Sequence, residues 1–301
     1  MPMKRKISTF LFGLLFLIGF GILIYPMVSN QWNTYRQNQL ISSYDNTIQD
    51  MEPEDFTSEW ENAKAFNDTI QQNNLYGDVF GEDENDIKDT EYWKILNVAD
   101  DGVMGYLSIP KINIKLAIYH GTGDDELQTG VGHLNGTKLP IGGESTHSVL
   151  AAHRGLPSAK LFTDLDKLKL GDMFFITVCN EKLAYEVDNI AVVEPTDIDL
   201  IRIDTQQDYV TLLTCTPYGV NTHRLLVRGH RVDMAEEAIA EVEEKAVPEG
   251  STWIEKYAEG LTIGLITSFA AMLLLLLILL IRRRQKKKTG NIAGSEQRSV
   301  Q

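Results

Sequence analysis

Two uncharged apolar runs bracket the chain, Ile7 to Val28 and Leu261 to Ile281. Roughly 20 apolar residues suffice to cross a bilayer as a helix. Between them the pattern changes twice. Residues 31–75 are polar with a helical repeat. Phe56, Trp60, Ala63, Phe66 or Asn67, and Ile70 fall near i, i+4, i+7 spacing, which predicts a helix with one packed face. Pro53 suits its first turn, and Glu54 and Asp55 suit its positive end. An earlier helix is predicted from about Trp32 to Gln49. Residues 76–90, with two glycines and a dense acidic run, read as a loop. From Met104 the repeat becomes that of strands. GYLSIPKINIKLAIYHG, SVLAAH, DMFFITVCN, LAYEVDNIAVVEP, YVTLLTC and RLLVRGHRV are short, rich in β-branched residues and separated by turn residues. Many short strands in one domain predict a mainly β fold, a sandwich or a barrel. The acidic residues 236–260 read as a connector to the second apolar run.

The flanks of the apolar runs predict topology. Lys4, Arg5 and Lys6 precede the first run; Arg282, Arg283, Arg284, Lys286, Lys287 and Lys288 follow the second. Basic flanks stay cytoplasmic, so both termini are expected inside and the middle outside. The first segment, 1–30, is expected as a retained signal anchor, with a cleaved signal peptide as the alternative. The second, 261–281, is expected as a transmembrane helix, and 282–301 as a basic cytoplasmic tail. Trp253 and Tyr257 stand where an interfacial aromatic belt is expected. The net charge of −14 hides an asymmetry. Residues 1–30 carry +3 and residues 261–301 carry +6, leaving −23 for the rest. So acidic a middle argues against nucleic acid as a partner.

Candidate chemistry centres on one of two cysteines. Cys215 closes the run YVTLLTC and precedes a turn, a placement that opens a thiol to a cleft. Cys179, within FFITVCN, reads as a small buried hydrophobe. A thiol attacks as thiolate and needs a nearby base or positive charge. Arg224 opens the following strand, and a strand leading back would set it near Cys215. Its permanent charge can meet a developing oxyanion. His223 is adjacent to Arg224 and so points to the opposite face. His153 ends SVLAAH as Cys215 ends its own strand, which makes it the base candidate. His120, His133, His147 and His230 have no comparable pairing argument. No C-x-x-C or H-x-x-x-H spacing supports zinc. The acidic loop lacks the calcium-loop pattern. No cofactor or metal is expected.

HRGLPSAKLFTDLDKLKLGD (153–172) and TLLTCTPYGVNTHRLLVRGHR (211–231) resemble the two signatures of the sortases, and most closely those of the pilus-associated class C of Gram-positive bacteria. GVGHLNGTKLPIGGESTH (130–147) is similar to the same class. The resemblance implies a closed eight-stranded barrel over residues 100–235, with 31–99 as a helical N-terminal region. It implies His153, Cys215 and Arg224 as the catalytic trio. It also implies a lid within 76–90, with Asp78 paired to Arg224 and Phe80 over Cys215, although valine at 79 replaces the proline of the lid motif. The implied activity is transpeptidation at the cell membrane. An LPXTG-like sorting signal is cleaved between Thr and Gly, a thioester forms, and a pilin lysine amine takes the acyl group. The expected partners are pilins and other LPXTG-bearing surface proteins. Alternatives are anchoring of surface proteins to cell-wall peptide, a cysteine protease, and a non-enzymatic adhesin or receptor.

Overall fold

A computed structural model describes residues 2–70, 87–246 and 250–296. The chain forms two compact units, Met1–Trp253 and Ile254–Gln301.

The first unit begins with a single long helix, α1 (Pro2–Asp50), which merges the first apolar run with the helix expected after it. Pro26 lies within it. The following helix, α2 (Pro53–Thr69), starts on Pro53 and carries Glu54 and Asp55 in its first turn. Ala63 is buried, and Phe56, Trp60 and Phe66 pack beside it, as the periodic stripe predicts. A short helix, α3 (Glu91–Lys94), leads into the sheet.

Eight strands close into a barrel: β1 (Val103–Ile109), β2 (Ile114–His120), β3 (Val131–His133), β4 (Thr146–Ala151), β5 (Met173–Val178), β6 (Glu181–Val193), β7 (Asp208–Thr216) and β8 (His223–Val232). Their order around the barrel is β1-β2-β3-β4-β7-β8-β6-β5. The expected closed eight-stranded, mainly β architecture is thus present. Two pairings are parallel, β2 with β3 and β4 with β7. A two-residue turn, Cys179-Asn180, joins β5 to β6, with φ of 44° and 65°. Positive φ at both central residues matches the right-handed twist of a hairpin.

The wall formed by β4, β7 and β8 is covered on both faces. Leu150, Ala152, Val210, Leu212, Leu225 and Val227 belong to the main core. The alternate residues Val149, Ala151, Leu213 and Leu226 form a second cluster. Leu127, from the short helix α4 (Asp124–Thr129), and Ile201, from the turn Asp199–Ile201, join that cluster. A strand buried on both faces needs a nearly continuous apolar run, and YVTLLTC has that texture rather than strict alternation.

The N-terminal helices dock on the barrel through polar side chains as well as apolar ones. Tyr44 of α1 donates to the Met104 carbonyl and accepts from the Cys179 N–H. Gln37 accepts from the Ala117 N–H at 2.7 Å. Asn67 of α2 accepts from the Leu139 N–H at 2.7 Å.

The segment read as a connector is structured. Helix α5 (Glu236–Lys245) buries Ile239 against Phe175 and Ala184, and Glu243 pairs with Lys182. Trp253 is 8% exposed and donates its indole N–H to the Leu156 carbonyl, so it anchors to the barrel instead of standing in an interfacial belt. The expectation failed because proximity to an apolar run does not reveal that a tryptophan has a closer partner. The second unit consists of the remainder of helix α6 (Thr252–Glu296). Two stretches are long and apolar enough to cross a membrane, Gly13–Asp50 and Glu255–Leu274.

Candidate active site

Cys215 lies one residue before the end of β7, directly opposite Arg224 of β8. Leu213 pairs with Leu226 one step earlier on the same face. Cys215 and Arg224 therefore continue the face that carries the second apolar cluster. The parallel register of β4 and β7 pairs Ala151 with Leu213. The Ala152 N–H then donates to the Leu213 carbonyl at 3.2 Å. His153 comes two residues after Ala151, the last paired residue of β4, and Cys215 two residues after its partner Leu213. Cys215 and Arg224 stand opposite each other on β7 and β8, and His153 lies just past the end of the neighbouring strand β4, which stops at Ala151.

The local chain explains this placement. Gly155, at φ 80°, takes a left-handed turn that a side chain would strain, so the backbone leaves the wall two residues after His153. The Phe162 N–H returns to the His153 carbonyl at 3.2 Å. His153 is half-buried, and burial holds its pKa below the usual histidine value, with the Asp124 carboxylate at the start of α4 working against that shift. Arg224 is buried, and its Nη1 donates to the carbonyls of Asn221 at 3.2 Å and His223 at 3.0 Å. These bonds hold a charge that water barely reaches. Cys215 is 8% exposed, more covered than a thiol at a strand end was expected to be.

His223, adjacent to Arg224, faces away and reaches Glu194 at 3.4 Å. Cys179 is a free thiol at the hairpin turn, and burial pushes its pKa up to about 12. The other buried histidines are satisfied elsewhere. His133 accepts from Tyr92 and donates to the Lys138 carbonyl. His147 donates to the Arg202 carbonyl and accepts from Thr211. His120 lies against the carbonyls of Gly102 and Ile95. Asp78 and Phe80 lie outside the described residues. Among the described residues no group of three or more His, Cys, Asp or Glu side chains converges as metal ligands do.

Sequence reasoning did not single out Arg154 or Asp164. Arg154 is buried and its guanidinium has three protein partners. Asp164 is 1% exposed and accepts from the Thr252 N–H at 2.7 Å and from Lys160 at 3.0 Å. The only signal in the sequence was charge inside an otherwise apolar or turn-rich stretch.

The closed barrel, with Cys215 opposite Arg224 and His153 just past the end of β4, points to a class, that of sortase-like domains. Residues 107–232 match the sortase domain family. The chain is 31% identical over 131 residues to sortase D of Bacillus subtilis, a match covering 42% of this chain and 63% of that protein, so it spans less than two thirds of that relative. It is 47% identical to the crystal structure of sortase C-1 from Streptococcus pneumoniae, with a TM-score of 0.61, covering 65% of this chain and all of that one (100%). A second Streptococcus pneumoniae sortase C structure, described for its insights into catalysis and pilin substrate specificity, is 44% identical with a TM-score of 0.62, covering 66% of this chain and 98% of that one. The chain belongs to the sortase family, and its structural neighbours are class C sortases.

Proposed function

We propose that this chain is a membrane-anchored cysteine transpeptidase that joins pilin subunits. The observation that supports the reading is the pairing of Cys215 with Arg224 on adjacent strands of a sortase barrel, with His153 two residues past the end of β4. Burial keeps the His153 ring neutral at neutral pH, so it can take a proton. As the Cys215 sulfur attacks the Thr–Gly carbonyl of an LPXTG-like sorting signal, His153 receives the thiol proton. The oxyanion forms opposite the guanidinium of Arg224, which donates to it. Collapse breaks the C–N bond. His153 returns the proton to the leaving amine and a thioester remains on Cys215. A lysine amine of another subunit then attacks the thioester carbon and gives its proton to His153, and the sulfur leaves. The product is an isopeptide bond.

The apolar helices at either end support anchoring. Tethering raises the local concentration of substrates held on the same membrane after secretion. Basic flanks support an external barrel with internal termini. The similarity to class C structures favours pilin joining over cell-wall anchoring.

The test uses the full chain in detergent with a sorting-signal peptide and an amine acceptor, read by mass spectrometry. A new amide after threonine is expected, together with its loss in Cys215→Ala. Hydrolysis alone, unaffected by added amine, would mark a protease. Product formation by Cys215→Ala would falsify the assignment of the nucleophile.

A further inference from the structure

We infer that Arg154 and Thr216 are positioning residues, forming a side-chain rung that holds His153 level with Cys215. This rests on the reading of His153 and Cys215 given above.

The backbone ladder between β4 and β7 stops short of the site. Its last rungs involve Ala152, whose N–H donates to the Leu213 carbonyl at 3.2 Å and whose carbonyl accepts from the Thr214 hydroxyl at 2.7 Å. His153 overhangs that end, and its chain turns away at Gly155. Cys215 sits on a strand that still runs on to Thr216. The next link across the gap is made by side chains. Arg154 Nη1 donates to Thr216 Oγ1 at 3.1 Å. The pair His153 and Cys215 is therefore bracketed by two links through side-chain hydroxyls, Thr214 below and Thr216 above. Side chains alternate along a strand. Thr216 follows Cys215 on β7, so its side chain takes the face opposite the sulfur, and Arg154 meets it there.

The guanidinium is itself fixed. Nε donates to the Thr163 carbonyl at 3.1 Å, and Nη2 pairs with Asp166 at 2.5 Å. The Gly155 N–H donates to Thr163 Oγ1 at 3.2 Å, which draws the same loop residue against the turn. The planar fork of arginine keeps these directions rigid, which a lysine cannot do. The Arg154 side chain is 4% exposed. A buried charge is retained only where its partners are fixed, and here the fixed partner is the residue after the nucleophile. A salt bridge with Asp166 alone would not need Thr216.

The experiment uses the full chain in detergent and compares Thr216→Val, Thr216→Ser and Arg154→Ala. Thr216→Val removes one hydroxyl at almost constant volume, so it can fold where Arg154→Ala does not. Displacing one partner of a reacting pair by about 1 Å can cost up to about a hundredfold in rate. The expected result for Thr216→Val is a fall in kcat of roughly tenfold or more, with KM within about twofold. Thr216→Ser restores the rate, and Arg154→Ala with Thr216→Val is no worse than Arg154→Ala alone. Equal rates for Thr216→Val and the unaltered chain would overturn the inference, as would equal damage from Val and Ser. A second readout needs no sorting signal: the pH dependence of iodoacetamide alkylation at Cys215. Thr216→Val is expected to shift it toward that of His153→Ala. If the unaltered chain transfers no peptide but this shift is seen, the proposed function fails while the rung stands. No shift alongside normal transfer removes the rung and leaves the function.

Discussion

Cys179 and Cys215 are both buried thiols of one barrel, in different surroundings. Around Cys179, burial dominates and drives the pKa up to about 12, so almost no thiolate exists at neutral pH. Cys215 faces the guanidinium of Arg224 across one rung. Iodoacetamide at pH 7.5 is expected to label Cys215 alone, with labelling abolished in Cys215→Ala; peptide mapping decides it, and modification of Cys179 in the folded chain would refute the contrast. Arg224→Ala is expected to lower kcat by roughly a hundredfold or more, the usual cost of losing an oxyanion donor. The histidines give a signed pH dependence. In the proposed reaction His153 is neutral when it takes the thiol proton, and burial lowers its pKa below 6.5. Activity is therefore present above that depressed pKa and lost as pH falls through it, so the acid limb of kcat/KM lies below pH 6.5. His133 and His147 act on stability instead. Burial lowers both to about 4. The unfolded chain binds protons near 6.5 that the folded chain refuses, so stability falls as pH drops from about 6.5 to about 4. Replacing His147 with Gln should make that slope shallower by about one proton, measured by denaturant unfolding at several pH values.

Among the elements, α2 and the loop after β4 are held by polar contacts to segments distant in sequence. Asn67 is 5% exposed and receives the Leu139 N–H. Asn67→Ala leaves that buried donor without its partner and is expected to cost about 1–3 kcal/mol in urea unfolding. The loop between His153 and β5 is tied at several points to segments far away in sequence. Asn30 of α1 accepts from the Lys160 N–H at 2.8 Å. Thr252 donates to Asp164, and Trp253 donates to the Leu156 carbonyl. The sections of chain beside both apolar runs thus hold the loop that begins at the candidate base. Trp253→Ala is expected to speed proteolysis within 154–168 while leaving the far-ultraviolet circular dichroism unchanged; an unchanged cleavage rate would argue that this contact does not hold the loop.

At the scale of the whole molecule, two apolar helices flank an acidic middle with basic ends. That charge order predicts the orientation. Protease added to intact cells is expected to degrade the barrel and spare an epitope placed after residue 288. Loss of the epitope would reverse the topology. Within the barrel, two parallel pairings bring distant segments into register, and the pairing of β4 with β7 is the one that builds the site.

Much of this was legible in the chain. Short runs rich in β-branched residues, set between turn residues, located the strands. The helical stripe of α2, the apolar spans and the residue types of the candidate trio were readable for the same kind of local reason. The signature resemblance supplied the barrel and grouped the trio. Alternation fixes which face a side chain takes, but not which strand stands beside it. The placement of His153 just past the end of β4, the Arg154–Thr216 rung and the docking of Trp253 required the tertiary structure. Each depends on segments brought together by parallel pairing or loop return, and no local pattern encodes that pairing.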